Sequence, residues 1–250
     1  MNLTAEKLQE NYDKLLSYIH NHIASPRKEQ LIDLYSTHAE RIMMMPASGT
    51  EHFHNAWIGG YVDHVIRVIE GSLQIMKVWQ SFGATINYTE EELVFAALNH
   101  DLGKIGTEEA EQYIPNDSEW HRKNQGKLYK NNPTNPFMTV PDRSLRLLAE
   151  RGIPVSTNEW YGIKLHDGMY DESNKAYFIS YDVNSRLRTN MPYVLHQADQ
   201  MAARTEYEMW MNNSTQVKPS TGTKKNPIMA ESLSAEEKGD LQAVFNELFK

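Results

Sequence analysis

The chain contains no cysteine, which excludes disulfide bonds, zinc–thiolate sites and a cysteine nucleophile. It also lacks any uninterrupted apolar run of about 18 residues or more, so we expect no membrane span. Basic residues are the minority, because 25 lysines and arginines stand against 33 acidic residues and give a net charge of −8. This balance disfavours extended binding to a nucleic-acid backbone, although a local basic patch can still hold a small anion.

The composition that remains suits a folded helical protein. A chain of 250 residues with 40% hydrophobic residues can build one large domain or two small ones around a substantial core. Its first residues, MNLTAEKLQENYDKLL, are charged and amphipathic, unlike a signal peptide. Together with the absence of cysteine, this favours a cytoplasmic location.

Apolar residues at helical spacing dominate the chain, so we predict an all-α fold. Helices are expected over residues 4–23, from Pro26 to near Pro46, over 55–81, from Thr89 to His100, and over 141–151, 156–165, 191–211 and 233–249. Residues 105–140 are predicted to be a long loop in which WHRKNQGKLYK forms a short hairpin turning at 124–126. Residues 166–188 read as another loop or hairpin, and residues 213–228 as a flexible linker.

Polar residues interrupt three apolar helices and are therefore candidate metal ligands. His64 lies within YVDHVIRV, Asp199 lies within LHQADQMAAR, and His100-Asp101 stands where a core helix ends. A buried imidazole or carboxylate without a partner costs free energy, and one shared divalent cation would remove that cost at all three places. Histidine and carboxylate ligands suit Mn, Fe, Co, Ni and Zn, and also Mg when further oxygen donors are present.

Each of these residues also has a simpler explanation. Histidine followed by aspartate at a helix C-terminus complements the helix dipole and starts a turn. His64 alone fits a hydrogen-bonded core histidine, and Asp199 fits a solvent-facing carboxylate. The metal hypothesis therefore depends on whether the three segments meet.

The order His … His-Asp … Asp resembles that of the HD-domain metal-dependent phosphohydrolases, with His64, His100, Asp101 and Asp199 at the matching positions. HDLGKIG is similar to the second motif of that superfamily, and HNAWIGGYVDH is similar to the first-histidine helix of the YhaM-like 3′–5′ exoribonucleases. The resemblance runs from about residue 52 to about residue 210 and implies an all-α HD-domain bundle, here with a long loop and hairpin insert. We then expect residues 1–45 to form N-terminal helices packed on the core, 46–211 the HD domain, and 212–250 a flexible segment and a C-terminal helix.

The resemblance implies hydrolysis of a phosphoester or phosphoanhydride, with a single divalent metal ion held by those four residues. In such chemistry the cation acidifies a water molecule and neutralises charge on the phosphoryl oxygens. Asp101 is expected also to orient the attacking water, and Lys104, one turn later, to contact a phosphate oxygen. His166, in KLHDGMY, is expected to give a proton to the leaving group or to contact the substrate.

Further residues are expected to support this site. His54 and His196 are predicted to lie around the ligands without binding the metal. The insert carries basic and aromatic residues that suit a substrate lid, with cations for phosphates and rings for a base. The substrate-binding candidates, besides Lys104, are His121, Arg122, Lys123, Lys127 and Tyr129.

Three functions remain open on the sequence. The first is hydrolysis of a nucleotide or another small phosphorylated substrate. The second is a 3′–5′ exonuclease or phosphodiesterase activity on short single-stranded nucleic acid, and the third is a non-catalytic HD module that senses a nucleotide. A homo-oligomer is compatible with each of them. The metal, the base and the bond that is cut are left undetermined.

Overall fold

Helices make up most of the computed structural model, which describes residues 3–180 and 182–216. Within those residues the fold is an all-α bundle with one two-stranded antiparallel sheet, and the predicted fold class is confirmed. The helices are α1 Ala5–His22, α2 Arg27–Thr37, α3 Ala39–Met44, α4 Gly60–Ser81, α5 Glu90–Asn99, α6 Glu119–Gln125, α7 Val140–Glu150, α8 Thr157–Leu165, α9 Lys175–Phe178 and α10 Met191–Gln216. The strands are β1 Tyr113–Pro115 and β2 Tyr129–Asn131.

Two capping boxes fix where α5 and α8 begin, as the sequence predicts. The Thr89 hydroxyl accepts a hydrogen bond from the Glu92 backbone N–H at 3.1 Å, and the Glu92 carboxylate accepts one from Thr89 N–H at 2.9 Å. Ser156 and Glu159 make the same pair of bonds at 3.2 and 2.7 Å. Such caps satisfy backbone donors that a helix end would otherwise leave free. They matter here because α5 leads into His100 and α8 leads into His166.

The core lies between α4, α5, α8 and α10, and the most extensive helix packing in the described residues is between α4 and α10. Helices α1, α2 and α3 add side chains to the same hydrophobic cluster. Each large apolar side chain buried in this way contributes about 1.5–3 kcal/mol relative to an exposed one. Fully buried members are Leu15, Ile19, Leu31, Leu34, Val65, Ile69, Leu93, Leu98, Val194 and Leu195.

Two helix boundaries differ from the prediction. The helix expected from Pro26 to near Pro46 is broken at His38, whose φ of −109° and ψ of 21° are not helical, and it becomes α2 and α3. The helix expected from residue 55 begins only at Gly60. Asn55 and Gly59 have φ angles of +39° and +88°, so the chain turns sharply there and cannot continue a right-handed helix.

The hairpin predicted at residues 124–126 is wrong. Residues Glu119–Gln125 form α6, which ends at Gly126 with a φ of +60°. Strand β2 follows, and it pairs with β1 across the helix, so that Ile114 lies opposite Lys130. The Asn-Gln-Gly signal therefore marks a glycine C-cap, which uses the same left-handed conformation as a hairpin turn.

The remaining differences lie near the end of the chain. Residues 166–188 contain short 3₁₀ turns and α9, with no strand among the residues described there. Helix α10 continues to Gln216, so residues 213–216 of the predicted linker are helical. The rest of that linker and the helix predicted at 233–249 lie outside the described residues. Among those described, no helix has both the length and the apolar character needed to cross a membrane.

A 3₁₀ turn, Leu102–Ile105, follows α5 and packs closely on α7. The Gly103 backbone N–H donates to the Ser144 hydroxyl at 2.7 Å, and the Arg143 guanidinium donates to the Gly103 carbonyl at 3.2 Å. Ser144 in turn donates to the His100 carbonyl at 3.1 Å. These bonds hold the HDLGK segment rigidly against α7.

We expect Gly103→Ala to lower the free energy of unfolding by roughly 1–3 kcal/mol, because overpacking displaces backbone. The added Cβ would lie 2.2 Å from the Val140 carbonyl oxygen. Urea denaturation measures the effect. Gly71→Ala is the matched control, since its nearest Cβ contact would be the flexible end of Met201 at 3.0 Å, and Ala198 would lie at an ordinary van der Waals distance of 3.5 Å. Equal stability of Gly103→Ala and wild type would contradict the close packing of this turn.

Candidate metal centre

Side chains from α4, from the end of α5 and from α10 meet in the interior. His64 Nε2 lies 3.1 Å from Asp199 Oδ1 and 3.6 Å from Asp101 Oδ2. His100 Nε2 lies 3.5 Å from Asp101 Oδ2 and 4.0 Å from Asp199 Oδ1. The four residues proposed as ligands from the sequence are therefore side by side. Two overlapping sets of side chains could hold a metal ion. The first is His64, His100 and Asp101, and the second, which includes His166, is His100, His166 and Asp199.

The donor atoms fit a shared cation. Two ligand atoms about 2.1 Å from one ion can be at most about 4.2 Å apart, and the four contacts above fall within that limit. His64 Nε2 and His100 Nε2 are buried and have no hydrogen-bond partner in the described structure. The 3.1 Å contact of His64 with Asp199 is short enough for a hydrogen bond but lacks the direction of one. Native proteins rarely leave buried polar atoms unpaired. His38 Nε2 and His54 Nε2 are unpaired as well, so it is the placement of the His64 and His100 nitrogens beside Asp101 and Asp199 that indicates a ligand position.

The ring orientation of two of the histidines is set by backbone carbonyls of the helices at whose ends they stand. His100 Nδ1 lies 2.7 Å from the Ala97 carbonyl oxygen, and His166 Nδ1 lies 2.8 Å from the Ile163 carbonyl oxygen. Carbonyls in the last turn of a helix have no intrahelical partner, so they are free to accept from an imidazole. Because Nδ1 donates to the backbone, Nε2 of each ring faces the cluster.

His64 lies inside α4, and its outer nitrogen contacts a side chain instead. Its Nδ1 is 3.1 and 3.2 Å from the two carboxylate oxygens of Glu206 on α10. The sequence analysis missed Glu206. A signal was available, because Glu206 follows Asp199 by seven residues and so lies on the same face of the helix.

The electrostatics of the cluster are set by charges that are close together away from water. Burial opposes ionisation of Asp199, but His64 and the other histidines hold the pKa of this carboxyl far below its usual range. Burial likewise opposes protonation of His64, yet the carboxylates of Glu206 and Asp199 raise its pKa to about 10. His100 differs, because burial dominates and lowers its pKa to about 4. Neutral imidazoles carry no charge. The negative charge of the carboxylates in this interior is therefore not balanced by the histidines unless the histidines take up protons.

Lys104 is buried beside Asp101, with its Nζ 2.5 Å from Asp101 Oδ2. Burial would lower the pKa of this ammonium, but Asp101 raises it above its usual value. Conversely, although burial acts the other way, Lys104 holds the pKa of Asp101 well below its usual range. Tyr113 of β1 is close enough for these charges to act on its hydroxyl, whose pKa is raised mainly by burial.

The other predicted histidines also border the cluster. His166 is buried with Nε2 3.8 Å from Asp101 Oδ1, and the His166 and His100 rings are 4.8 Å apart. The His54 ring is 4.9 Å from the His64 ring, and burial lowers the pKa of His54 to about 3. His196 Nδ1 lies 2.7 Å from the His166 carbonyl oxygen, which places it behind His166.

The basic insert is occupied with its own surroundings. Lys123 pairs with Glu119 at 2.7 Å within α6, and Arg122 donates to the Asn116 carbonyl. Lys127 and Tyr129 contact the loop before α4 through their backbone, at Thr50 and Gly49 respectively. The ring of His121 packs edge-to-face against Trp120. None of the five substrate candidates in the insert is joined to the metal cluster by a hydrogen bond or ion pair of the described residues.

A cavity of about 490 Å³ lies elsewhere on the surface, between α8, α9 and the segment before α10. None of its lining residues belongs to the cluster. Two tyrosines, Tyr161 and Tyr177, and two exposed arginines, Arg186 and Arg188, line it. Helix α8 carries Tyr161 and leads directly into His166.

The fold and the site together define an all-α protein with a buried histidine–aspartate cluster that can hold a metal ion. Comparison with protein-family models, with curated proteins and with solved structures finds no match for the chain.

We expect wild-type protein to retain a divalent metal through purification, and His64→Ala, His100→Ala and Asp101→Ala each to lose it. The reason is that each substitution removes a donor from a set whose charge and geometry suit a single ion. Elemental analysis after gel filtration measures the metal content. His38→Ala is the matched control, because His38 is also a buried histidine whose Nε2 lies 3.2 Å from a carboxylate, that of Glu108, without a hydrogen bond, but it stands outside the cluster. Equal metal content in all variants would contradict the site.

Proposed function

We propose that this protein is a metal-dependent phosphohydrolase of the HD-domain type, acting on a nucleotide or a similar small phosphorylated compound. The observation that carries the proposal is the meeting of His64, His100, Asp101 and Asp199, with two buried imidazole nitrogens left without hydrogen bonds. The proposal is also supported by the order of these residues along the chain and by the motif HDLGKIG, both of which resemble the HD-domain phosphohydrolases.

A divalent cation bound at this place supplies Lewis acidity toward a phosphoryl oxygen and a water molecule. The chain supplies the remaining chemistry. Asp101, beside the ligand nitrogens, accepts a hydrogen bond from the attacking water and so orients it. Asp199 is the most exposed of the four, with a fifth of its side chain accessible, so substrate approaches from the α10 side.

Lys104 and His166 flank Asp101 on the two sides where a phosphate would lie. The ammonium of Lys104 neutralises negative charge that builds on the phosphoryl oxygens during the reaction. The pKa of His166 is raised because Asp167 and Asp101 outweigh its burial, so this ring holds a proton more readily than an isolated histidine. His166 can therefore donate that proton to the leaving oxygen.

A small substrate is supported by the distribution of charge. The net charge is −8, and cations of the insert already pair with neighbours such as Glu119 and Asp117. Within the insert, this pairing interrupts the basic run at Lys123 and Lys130. The cysteine-free composition and the absence of a membrane-crossing helix in the described residues are compatible with a cytoplasmic enzyme.

A second candidate, cleavage of short single-stranded nucleic acid, is favoured by the cavity beyond His166. Tyrosine rings stack on bases and arginines contact phosphates, and both line that cavity. In this alternative the 3′-terminal nucleotide lies at the cluster and the nucleotides on its 5′ side reach Tyr161, Tyr177, Arg186 and Arg188.

Phosphate and nucleotide release from a mononucleotide panel, measured beside cleavage of a short labelled oligonucleotide, tests both candidates. We expect turnover of a mononucleotide that Arg186→Ala/Arg188→Ala leaves unchanged. Turnover of the oligonucleotide alone, with a loss in that double variant, would favour the second candidate. Nucleotide binding by metal-loaded protein with no product from any substrate would establish a sensor and contradict both.

We expect Lys104→Met to retain metal and to reduce kcat by roughly 10²–10³-fold, the effect typical of losing one transition-state charge contact. The substitution keeps an unbranched side chain that is one heavy atom shorter, and it removes a positive charge that competes with the metal for Asp101. Metal content by elemental analysis and steady-state kinetics are measured together. Lys164→Met is the matched control, since Lys164 pairs with Asp142 at 2.6 Å, apart from the cluster. A wild-type kcat in Lys104→Met would exclude the role assigned to Lys104.

A further inference from the structure

Glu206 is a fully buried carboxylate whose closest partner is a candidate metal ligand. Its side chain has no accessible surface, and both of its oxygens lie within 3.2 Å of His64 Nδ1. A buried carboxylate is costly unless it is hydrogen-bonded and its charge is balanced. Its position in the core, where an alanine or leucine would pack at no such cost, therefore calls for a role.

The other cation near Glu206 is already engaged. Arg67 Nε is 3.8 Å from Glu206 Oε1 but 3.0 Å from Asp63 Oδ2, and Asp63 also accepts a hydrogen bond from Asn55 at 2.8 Å. Arg67 and Asp63 thus form their own pair at the edge of the site. The hydrogen-bond capacity of Glu206 is directed to His64.

His64 needs such a partner because of its place in the helix. His100 and His166 stand at helix ends and use free backbone carbonyls, whereas the carbonyls around His64 are used within α4. A side chain from another helix must therefore set its ring. A carboxylate fixes the protonated nitrogen at Nδ1, as a backbone carbonyl also does. In addition, its negative charge makes Nε2 a stronger electron-pair donor to a metal ion.

The charges of the site are balanced when Glu206 is counted. Asp101, Asp199 and Glu206 carry three negative charges, and Lys104 carries one positive charge. With His64 and His100 neutral, a divalent cation brings the formal charge of these four residues and the ion to zero. Without Glu206 the same set would keep a net positive charge away from water, which weakens cation binding.

We propose that Glu206 is a positioning residue that holds the His64 imidazole with Nδ1 protonated and Nε2 directed at the bound cation. The inference rests on the metal centre of the proposed function. It assigns to the α4–α10 contact the task of setting the affinity of the site for metal, not of touching substrate.

The test is the affinity of the full chain for Zn²⁺, measured by competition with a chromophoric chelator. Relative to wild type, Glu206→Gln is expected to bind about 10-fold more weakly and Glu206→Ala about 100-fold more weakly, the range typical of lost partners behind metal-bound histidines. Glutamine loses the charge but its carbonyl can still accept from Nδ1. Glu208→Gln is the matched control, because Glu208 is exposed on the same helix.

A second readout separates positioning from a purely structural role. In ¹⁵N spectra of Zn²⁺-loaded wild type, His64 is expected to show one protonated nitrogen, Nδ1, and in Glu206→Ala this signal should broaden or shift. Circular dichroism in chelator reports whether each variant folds, and Glu206→Gln carries the test if Glu206→Ala does not.

Two results overturn the inference, and they differ. Wild-type Zn²⁺ affinity and an unchanged His64 spectrum in Glu206→Gln, with His64→Ala losing Zn²⁺, would exclude a positioning role while the metal centre stands. Failure of wild type itself to bind Zn²⁺ or any other divalent ion would overturn both the metal centre and this inference.

Discussion

The structure depends on one electrostatic constraint, the burial of Asp101 and Asp199 among three imidazoles and an ammonium. Carboxylates away from water are stable only when opposite charge or hydrogen-bond donors surround them closely. Lys104 supplies one positive charge at 2.5 Å from Asp101, and His64 supplies a contact at 3.1 Å from Asp199. The Nε2 atoms of His64 and His100 remain without hydrogen bonds, and a metal ion held by the cluster would be their partner.

The packing of α4 against α10, called the seam below, makes the burial of these carboxylates possible. It brings His64 together with Asp199 and Glu206, although 142 residues separate His64 from Glu206. Small residues face each other where the two helices meet, since a Cβ at Gly71 would lie 3.5 Å from Ala198 Cβ, an ordinary van der Waals distance. The apolar packing of the seam thus provides the rigidity with which the ligand atoms are held.

Local chemistry explains both the accuracy of the helix prediction and the failure of the hairpin. Capping boxes at Thr89 and Ser156 are complete within four residues, so their signals survive in any tertiary context. Gly126 shows the opposite, because a left-handed glycine ends a helix as readily as it turns a hairpin. Which of the two occurs depends on β1, a strand that pairs from outside the predicted segment.

The sequence by itself determined that the chain is helical, where most helices begin, and which histidines and aspartates interrupt apolar faces. These properties follow from periodicity and from caps, which act over a few residues. Only the tertiary structure decided that the interruptions meet, that Glu206 stands behind His64, and that Lys123 and Lys130 pair with acidic residues of the same insert. The physical reason is that a buried charge takes its partner from whichever element packs against it, and no local pattern specifies that element.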